Sequence, residues 1–146
     1  MKSGFTFIEL IIVMGVFALT IALFSLNYFS STSKTSLGAT EDLLIADLKS
    51  QQARAMSGEG QNGVQVTGWG IRLDNNSSYV MIPDNYTVTL PTGMSITTTF
   101  QGNTINFLRG SGEISSFMQN QDTLTLSFAG DSRIIKLNQY GVIIAK

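Results

Sequence analysis

The chemistry open to this chain is that of carboxylates and hydroxyls, because it contains neither histidine nor cysteine. Disulfides, thiolate nucleophiles, imidazole bases and ordinary zinc sites are therefore excluded. Serine and threonine are abundant, but a hydroxyl nucleophile needs a neighbouring base to activate it. Four acidic residues of the second half are scattered over predicted turns and loops: Asp84, Glu113, Asp122 and Asp131. We therefore predict no catalytic residues, no cofactor and no enzymatic activity.

The short polar motifs of the chain are weak evidence for a binding or modification site. Gly110-Ser111-Gly112 is too short for a phosphate-binding loop, which should follow a strand and open a helix. Triplets starting at Asn75, Asn76 and Asn85 fit the glycosylation pattern, but chance explains them in a chain so rich in Asn, Ser and Thr. A calcium site made of turn carboxylates stays open, although no ordered ligand spacing supports it.

One carboxylate occupies an unusual position. Glu9 is the only charged residue in the run from Phe5 to Phe24, and an acid inside a spanning helix costs about 2.5–3.5 kcal/mol. Some 20 residues at about 1.5 Å each match a hydrocarbon core of roughly 30 Å, so we expect residues 5–24 to span a membrane. The carboxylate would face a helix N-terminus or a partner's cation, or reach the interface from the helix end. A plain signal anchor is the alternative.

The elements that position these residues are of two kinds. Leu37, Leu44, Leu48 and Ala55 recur at helical spacing, which predicts one helix over 5–56, with a spanning part (5–24) and a stalk (25–56). From residue 63 onward, alternating apolar residues between turn residues predict short strands. The predicted strands are 63–67, 69–74, 78–82, 86–90, 94–100, 104–108, 123–128, 132–138 and 141–145.

The predicted fold class is α+β, with a long N-terminal transmembrane-and-stalk helix packed on a C-terminal antiparallel β-sheet head, residues 57–146. Turn residues between the predicted strands indicate hairpins. The five predicted hairpin joins are 74–77, 83–85, 91–93, 101–103 and 129–131.

The N-terminal residues carry a resemblance to a known family. Gly4-Phe5-Thr6-Phe7-Ile8-Glu9-Leu10 resembles the processing motif of type IV prepilins and pseudopilins. The resemblance implies that residues 1–4 are a leader, that prepilin peptidase cuts between Gly4 and Phe5, and that Phe5 is then N-methylated. It also implies that Glu9 pairs with the terminal amine of a neighbouring subunit. That amine is largely protonated at neutral pH, so the pair removes two unpaired charges from an apolar environment.

Weaker motifs in the head resemble those of protein H-type minor pseudopilins of the general secretion pathway and of FimT-like minor pilins. They are Ala53-Arg54-Ala55, Gly68-Trp69-Gly70-Ile71, Ile105-Asn106-Phe107, Arg133-Ile134-Ile135 and Asn138-Gln139-Tyr140-Gly141-Val142-Ile143. The resemblance implies a minor subunit of a type IV pilus-like or type II secretion filament, with a pilin-like fold. It further implies a single-pass protein of the bacterial inner membrane with an exported head. The implied partners are prepilin peptidase, other subunits and an inner-membrane assembly platform.

Two alternatives stay open. Some FimT-like minor pilins take up DNA, and the basic residues that would contact phosphates here are Arg133, Lys136 and Lys146. On a regular strand Arg133 and Lys136 would point to opposite faces. The other alternative is a membrane-anchored β-domain that joins no filament.

Overall fold

A computed structural model describes residues 6–61, 66 and 68–145, and for residues 23–34 it describes the backbone alone. The chain divides into two compact units, Met1–Thr35 and Ser36–Lys146. Helix α1 (Phe7–Met56) begins in the first unit and ends in the second. The second unit also contains the strands and one short 3-10 helix, Gln101–Asn103.

Helix α1 ends in a glycine-capped turn. Gly58 has a φ of +70°, in the left-handed region that favours glycine. Its N–H donates to the carbonyl of Ala55, and the N–H of Glu59 donates to the carbonyl of Arg54, both at 3.1 Å. This Schellman pattern pairs two carbonyls that the end of a helix would otherwise leave without donors.

The described strands form two four-stranded antiparallel sheets. The first has the order β3-β2-β1-β5 and the second the order β4-β6-β7-β8. The strands are β1 (Gly68–Asn75), β2 (Ser78–Ile82), β3 (Tyr86–Thr89), β4 (Met94–Thr98), β5 (Thr104–Leu108), β6 (Thr123–Phe128), β7 (Asp131–Leu137) and β8 (Ile143–Ala145). The predicted strand 63–67 lies almost entirely outside the described residues.

One hydrophobic core joins α1 to both sheets. In β6, Leu124 and Leu126 are buried while the intervening threonines are less so, as the two-residue period of a strand requires. Leu44 and Leu48 of α1 belong to the same cluster. Burying each such side chain contributes about 1.5–3 kcal/mol, so the core fixes the helical stripe against the sheets.

The predicted fold class is wrong in two respects. The β-rich part is divided between two sheets, where an antiparallel sheet head was expected. Among the described residues, no helix combines the length and the apolar character needed to cross a lipid bilayer.

Other predictions depended on that helix and are corrected with it. The predictions of a pilin-like fold, of a transmembrane segment at 5–24 and of a single-pass position in the bacterial inner membrane are wrong. The stretch on which they rested is apolar in sequence, but in the structure its described part does not provide a spanning helix.

Three of the five predicted hairpins are correct. The joins at 74–77, 83–85 and 129–131 connect strands that pair with each other. The joins at 91–93 and 101–103 carry the chain from one sheet to the other. Next to these joins lie Leu90 and Phe100, both buried. At these two joins the burial of Leu90 and Phe100 in the core therefore favours a crossing between the sheets, although the turn residues alone indicate a hairpin.

Candidate functional site

The first turn of α1 is built by Thr6 and Glu9. The Glu9 carboxylate Oε2 accepts hydrogen bonds from the Thr6 backbone N–H and from the Thr6 hydroxyl, each at 3.1 Å. The Glu9 backbone N–H lies 3.4 Å from Thr6 Oγ1 and donates to it. This reciprocal pattern is a capping box, with Thr6 at the N-cap and Glu9 three residues on. The acidic side chain also lies at the positive end of the helix dipole.

Sequence reasoning allowed Glu9 to face a helix N-terminus but missed its reciprocal capping with Thr6. The signal was present as Thr6-Phe7-Ile8-Glu9 before an apolar run, which is the Ser/Thr-x-x-Glu pattern of a helix start. The carboxylate is thus explained locally without a partner. Its predicted pairing with the terminal amine of a neighbouring subunit stays a prediction, and the processing residues Gly4 and Phe5 lie outside the described residues.

The apolar side chains that follow Glu9 are uncovered on every side of the helix. Between Phe7 and Ile21 the large apolar side chains are between 51% and 77% exposed. The hydroxyl of Thr20 bonds the carbonyl of Val16 at 2.7 Å, so this polar group is paired within the helix. A helix that is apolar all round is normally buried in its working state. This part of α1 therefore needs a cover that one copy of the chain does not supply to its described residues.

The basic residues predicted for DNA contact are paired with carboxylates. Arg133 Nη1 lies 4.0 Å from Glu41 Oε2 on α1, and Lys136 Nζ lies 3.3 Å from Asp122 Oδ2. Ile135 and Leu137 of the same strand are buried while Lys136 is only half-buried, so Arg133 and Lys136 lie on opposite faces of β7. Lys146 lies outside the described residues. These pairs leave neither Arg133 nor Lys136 as an unopposed cation for a phosphate.

Glu41 is a buried carboxylate inside the head. It is only 2% exposed, and its Oε1 has no hydrogen-bond partner. A buried charge is costly unless it is paired. Arg133 provides the opposite charge for the Glu41 carboxylate. The pair links α1 to β7.

The end of α1 is held by a cluster of polar and aromatic groups. The guanidinium of Arg54 lies 3.5 Å from the centre of the Trp69 ring. It also pairs with Glu59 at 3.0 Å and Asp84 at 2.5 Å. Partial burial lowers the pKa of Arg54, but hydrogen bonds with Glu59 and Asp84 outweigh it and raise that pKa above its ordinary value. The Trp69 indole N–H donates to the Glu59 carbonyl at 2.9 Å, which fixes the ring under the cation.

A second junction lies one turn earlier on α1. Gln52 Nε2 donates to the carbonyl of Gly112 at 3.0 Å and to that of Tyr140 at 2.7 Å. A Cβ at Gly141 would lie 2.5 Å from Gln52 Nε2 and 2.7 Å from Phe107 Cε1, so only glycine fits there. Residues from four of the weak head motifs, Arg54, Trp69, Phe107 and Tyr140-Gly141, thus lie around the end of α1.

Two of the carboxylates that the sequence singled out as catalytic candidates are engaged in ion pairs. Asp84 pairs with Arg54 and Asp122 with Lys136, so both carboxylates are occupied in structural ion pairs. Over the described ranges, no cluster of three or more acidic residues is suited to hold a metal ion. The prediction that the chain is not an enzyme stays a prediction.

No protein-family model matches this chain, and no curated protein or solved structure is similar to it at a significant level.

Proposed function

We propose that this chain is a structural subunit of a filament of the type IV pilus or type II secretion kind, cut between Gly4 and Phe5 and assembled through the first part of α1. The proposal rests on the resemblance of residues 4–10 to the prepilin processing motif. The observation that carries it is the uncovered apolar surface of α1 between Phe7 and Ile21. Equivalent helices of neighbouring subunits would cover it from all sides.

Helical packing suits this surface better than a groove in a single partner. Its exposed side chains surround the helix and do not form one stripe, so one partner would leave most of them in water. Burying apolar area contributes about 25 cal/mol per Å². Several neighbouring helices would therefore stabilise the assembly more than a single groove.

Glu9 would give the assembly its register. The capping box holds its carboxylate at the start of α1 through Oε2. A protonated terminal amine of a neighbouring subunit would find a fixed, oriented acceptor there, and a shifted register would leave both charges unpaired in an apolar environment. The pair would thus select one arrangement of subunits.

Processing is tested by co-expressing the chain with a prepilin peptidase and measuring the mass of the product. We expect a mature protein that begins at Phe5 and carries one additional methyl group, and an uncut precursor for Gly4→Leu. Cleavage elsewhere, or none in the unmodified chain, would contradict the proposal.

Assembly is tested with variants that separate the charge of Glu9 from its capping role. Glu9→Gln keeps a side-chain acceptor for the cap but removes the charge, whereas Thr6→Ala removes the capping hydroxyl and keeps the charge. We expect Glu9→Gln to lower recovery in filaments sheared from native cells by about tenfold, the equivalent of about 1.4 kcal/mol. Thr6→Ala should have the smaller effect. The reverse order would assign Glu9 to the cap alone.

DNA capture by the head is the alternative from the sequence, and we do not propose it. Its two described candidate residues, Arg133 and Lys136, each face a carboxylate and lie on opposite faces of β7. Phosphate binding requires unopposed cations along one surface.

A further inference from the structure

A groove of about 500 Å³ lies in the head beside β7. Its volume falls within the roughly 300–1,000 Å³ of small-molecule sites. Two tight turns form its walls, one at 118–121 and the other at 138–141. Two aromatic side chains, Phe117 and Tyr140, line it together with amide and charged groups.

The wall at 138–141 is held rigidly. Asn138 Oδ1 accepts hydrogen bonds from the backbone N–H groups of Tyr140 and Val142, each at 3.0 Å. The Tyr140 carbonyl accepts from Gln52 at 2.7 Å. Yet the Tyr140 side chain is 59% exposed. An aromatic ring held open to solvent on a fixed turn is pre-organised for a ligand, because little ordering entropy remains to be lost on binding.

The opposite wall is equally defined. The Gln121 N–H donates to the Met118 carbonyl at 3.1 Å, which closes the turn. Asn120 has a φ of +71°, so Gln119 and Asn120 form its tip. At the base, the ammonium of Lys136 pairs with the nearly buried carboxylate of Asp122 at 3.3 Å.

We propose that this groove binds a neutral saccharide. The amides of Gln119, Asn120 and Gln139 each offer donors and an acceptor, which matches the hydroxyl groups of a sugar. The Asp122–Lys136 pair adds charge-assisted bonds to such hydroxyls without net charge. The exposed Tyr140 ring provides an apolar face for the C–H groups of a sugar ring.

Other ligand classes fit the same lining less well. A nucleic acid or an acidic peptide needs unopposed cations, but Lys136 is neutralised by Asp122. An apolar ligand would leave the amide groups without hydrogen bonds, which is costly. The inference does not depend on the proposed filament role, since every group that forms the groove lies in the second unit.

The test is NMR titration of the full chain with maltotriose, cellotriose and chitotriose. A phosphocholine detergent keeps the exposed part of α1 in solution without adding a sugar headgroup. We expect at least one trisaccharide to bind with a dissociation constant on the order of 1 mM and to shift the amide signals of residues 138–141. Saturation transfer should come from the aromatic protons of Tyr140.

Matched tyrosine variants distinguish sugar binding in the groove from binding elsewhere on the surface. Tyr140→Ala should weaken binding about tenfold, while Tyr140→Phe should retain it. Tyr86→Ala changes a tyrosine of similar exposure on β3 and should leave binding unchanged. Failure of all three trisaccharides at millimolar concentration would overturn the proposal. So would full binding by Tyr140→Ala, or binding at the groove only by an anionic heparin fragment.

Discussion

The two ends of α1 show how the same secondary structure is stabilised in opposite ways. Between Phe7 and Ile21 the large apolar side chains are uncovered on every side. Between residues 36 and 56 one stripe is buried, formed by Leu37, Leu44, Leu48 and Ala55, whereas Leu43 and Lys49 lie outside it. The second part is stable through the core of the head. The described residues of the same chain leave the first part uncovered.

This difference teaches how to interpret apolar residues in a helix. A stripe at helical spacing predicts a cover within the same chain, because one face is enough to meet one core. An unbroken apolar run predicts a cover on all sides. It does not specify the cover, and the spanning helix predicted from this run is not found among the described residues.

The largest expected effect comes from the buried stripe. Leu48 is 2% exposed and Leu43, on the same helix, 52%. Leu48→Ala leaves a cavity and should lower the free energy of unfolding by about 2–5 kcal/mol. Leu43→Ala should change it by no more than about 0.5 kcal/mol. Urea unfolding followed by Trp69 fluorescence measures both, and equal effects would refute a one-sided stripe.

The next effect concerns the turn that Gln52 holds against α1. Gly141 has a φ of +71° and no room for a Cβ, whereas Gly130 has a φ of +88° and open space around it. Backbone strain costs each alanine variant about 1–2 kcal/mol, and Gly141→Ala adds about 1–3 kcal/mol of overpacking. The difference between the free energies of unfolding of the two variants, measured by urea titration, gives the cost of overpacking. Equal values would mean that the turn shifts away from Gln52 without cost.

The sequence predicted the elements of the head better than their connections. The positions of β2, β5 and β6 follow from alternating residues between turns, and the buried stripe of α1 follows from helical spacing. The division into two sheets depends on where Leu90 and Phe100 are buried. That is decided by long-range packing, and turn residues report only local backbone geometry.

The candidate site divides in the same way. The Thr6–Glu9 capping box is a local pattern that the sequence contains. The stacking of Arg54 on Trp69 and the groove beneath Tyr140 join residues distant in sequence. A single sequence offers no signal for such contacts.

A smaller effect should come from a hydrogen bond between α1 and the first sheet. The Tyr79 hydroxyl of β2 donates to Asp47 Oδ2 of α1 at 2.6 Å. Tyr79→Phe removes this bond and should lower the free energy of unfolding by about 1–2 kcal/mol at neutral pH. Tyr86→Phe, on exposed β3, should have no measurable effect. The same urea titration measures both variants.

The same bond predicts a dependence on alkaline pH. Burial first, and then the hydrogen bond and charge of Asp47, raise the pKa of Tyr79 well above its ordinary value. Its contribution to stability is therefore complete below about pH 10, the unfolded pKa, and is lost as pH rises above it, because the unfolded chain releases the proton first. Above about pH 10, the free energy of unfolding of Tyr79→Phe should fall less steeply with pH than that of the unmodified chain. An identical slope in both proteins would exclude Tyr79 as the source.

The smallest effect on the head should come from the first turn of α1. Thr6→Ala removes the hydroxyl that caps Glu9 N–H and bonds its carboxylate. A lost N-cap costs about 1 kcal/mol, but residues 7–22 make no described contribution to the core. Amide exchange should therefore accelerate about fivefold in the first turn, while the urea midpoint of the head stays unchanged. Thr20→Val, which loses only a bond to the Val16 carbonyl within the helix, should leave the exchange of the first turn unaltered. A shifted midpoint in Thr6→Ala would mean that the start of α1 and the head unfold as one unit, and the contrast between the two parts of the helix would then fail.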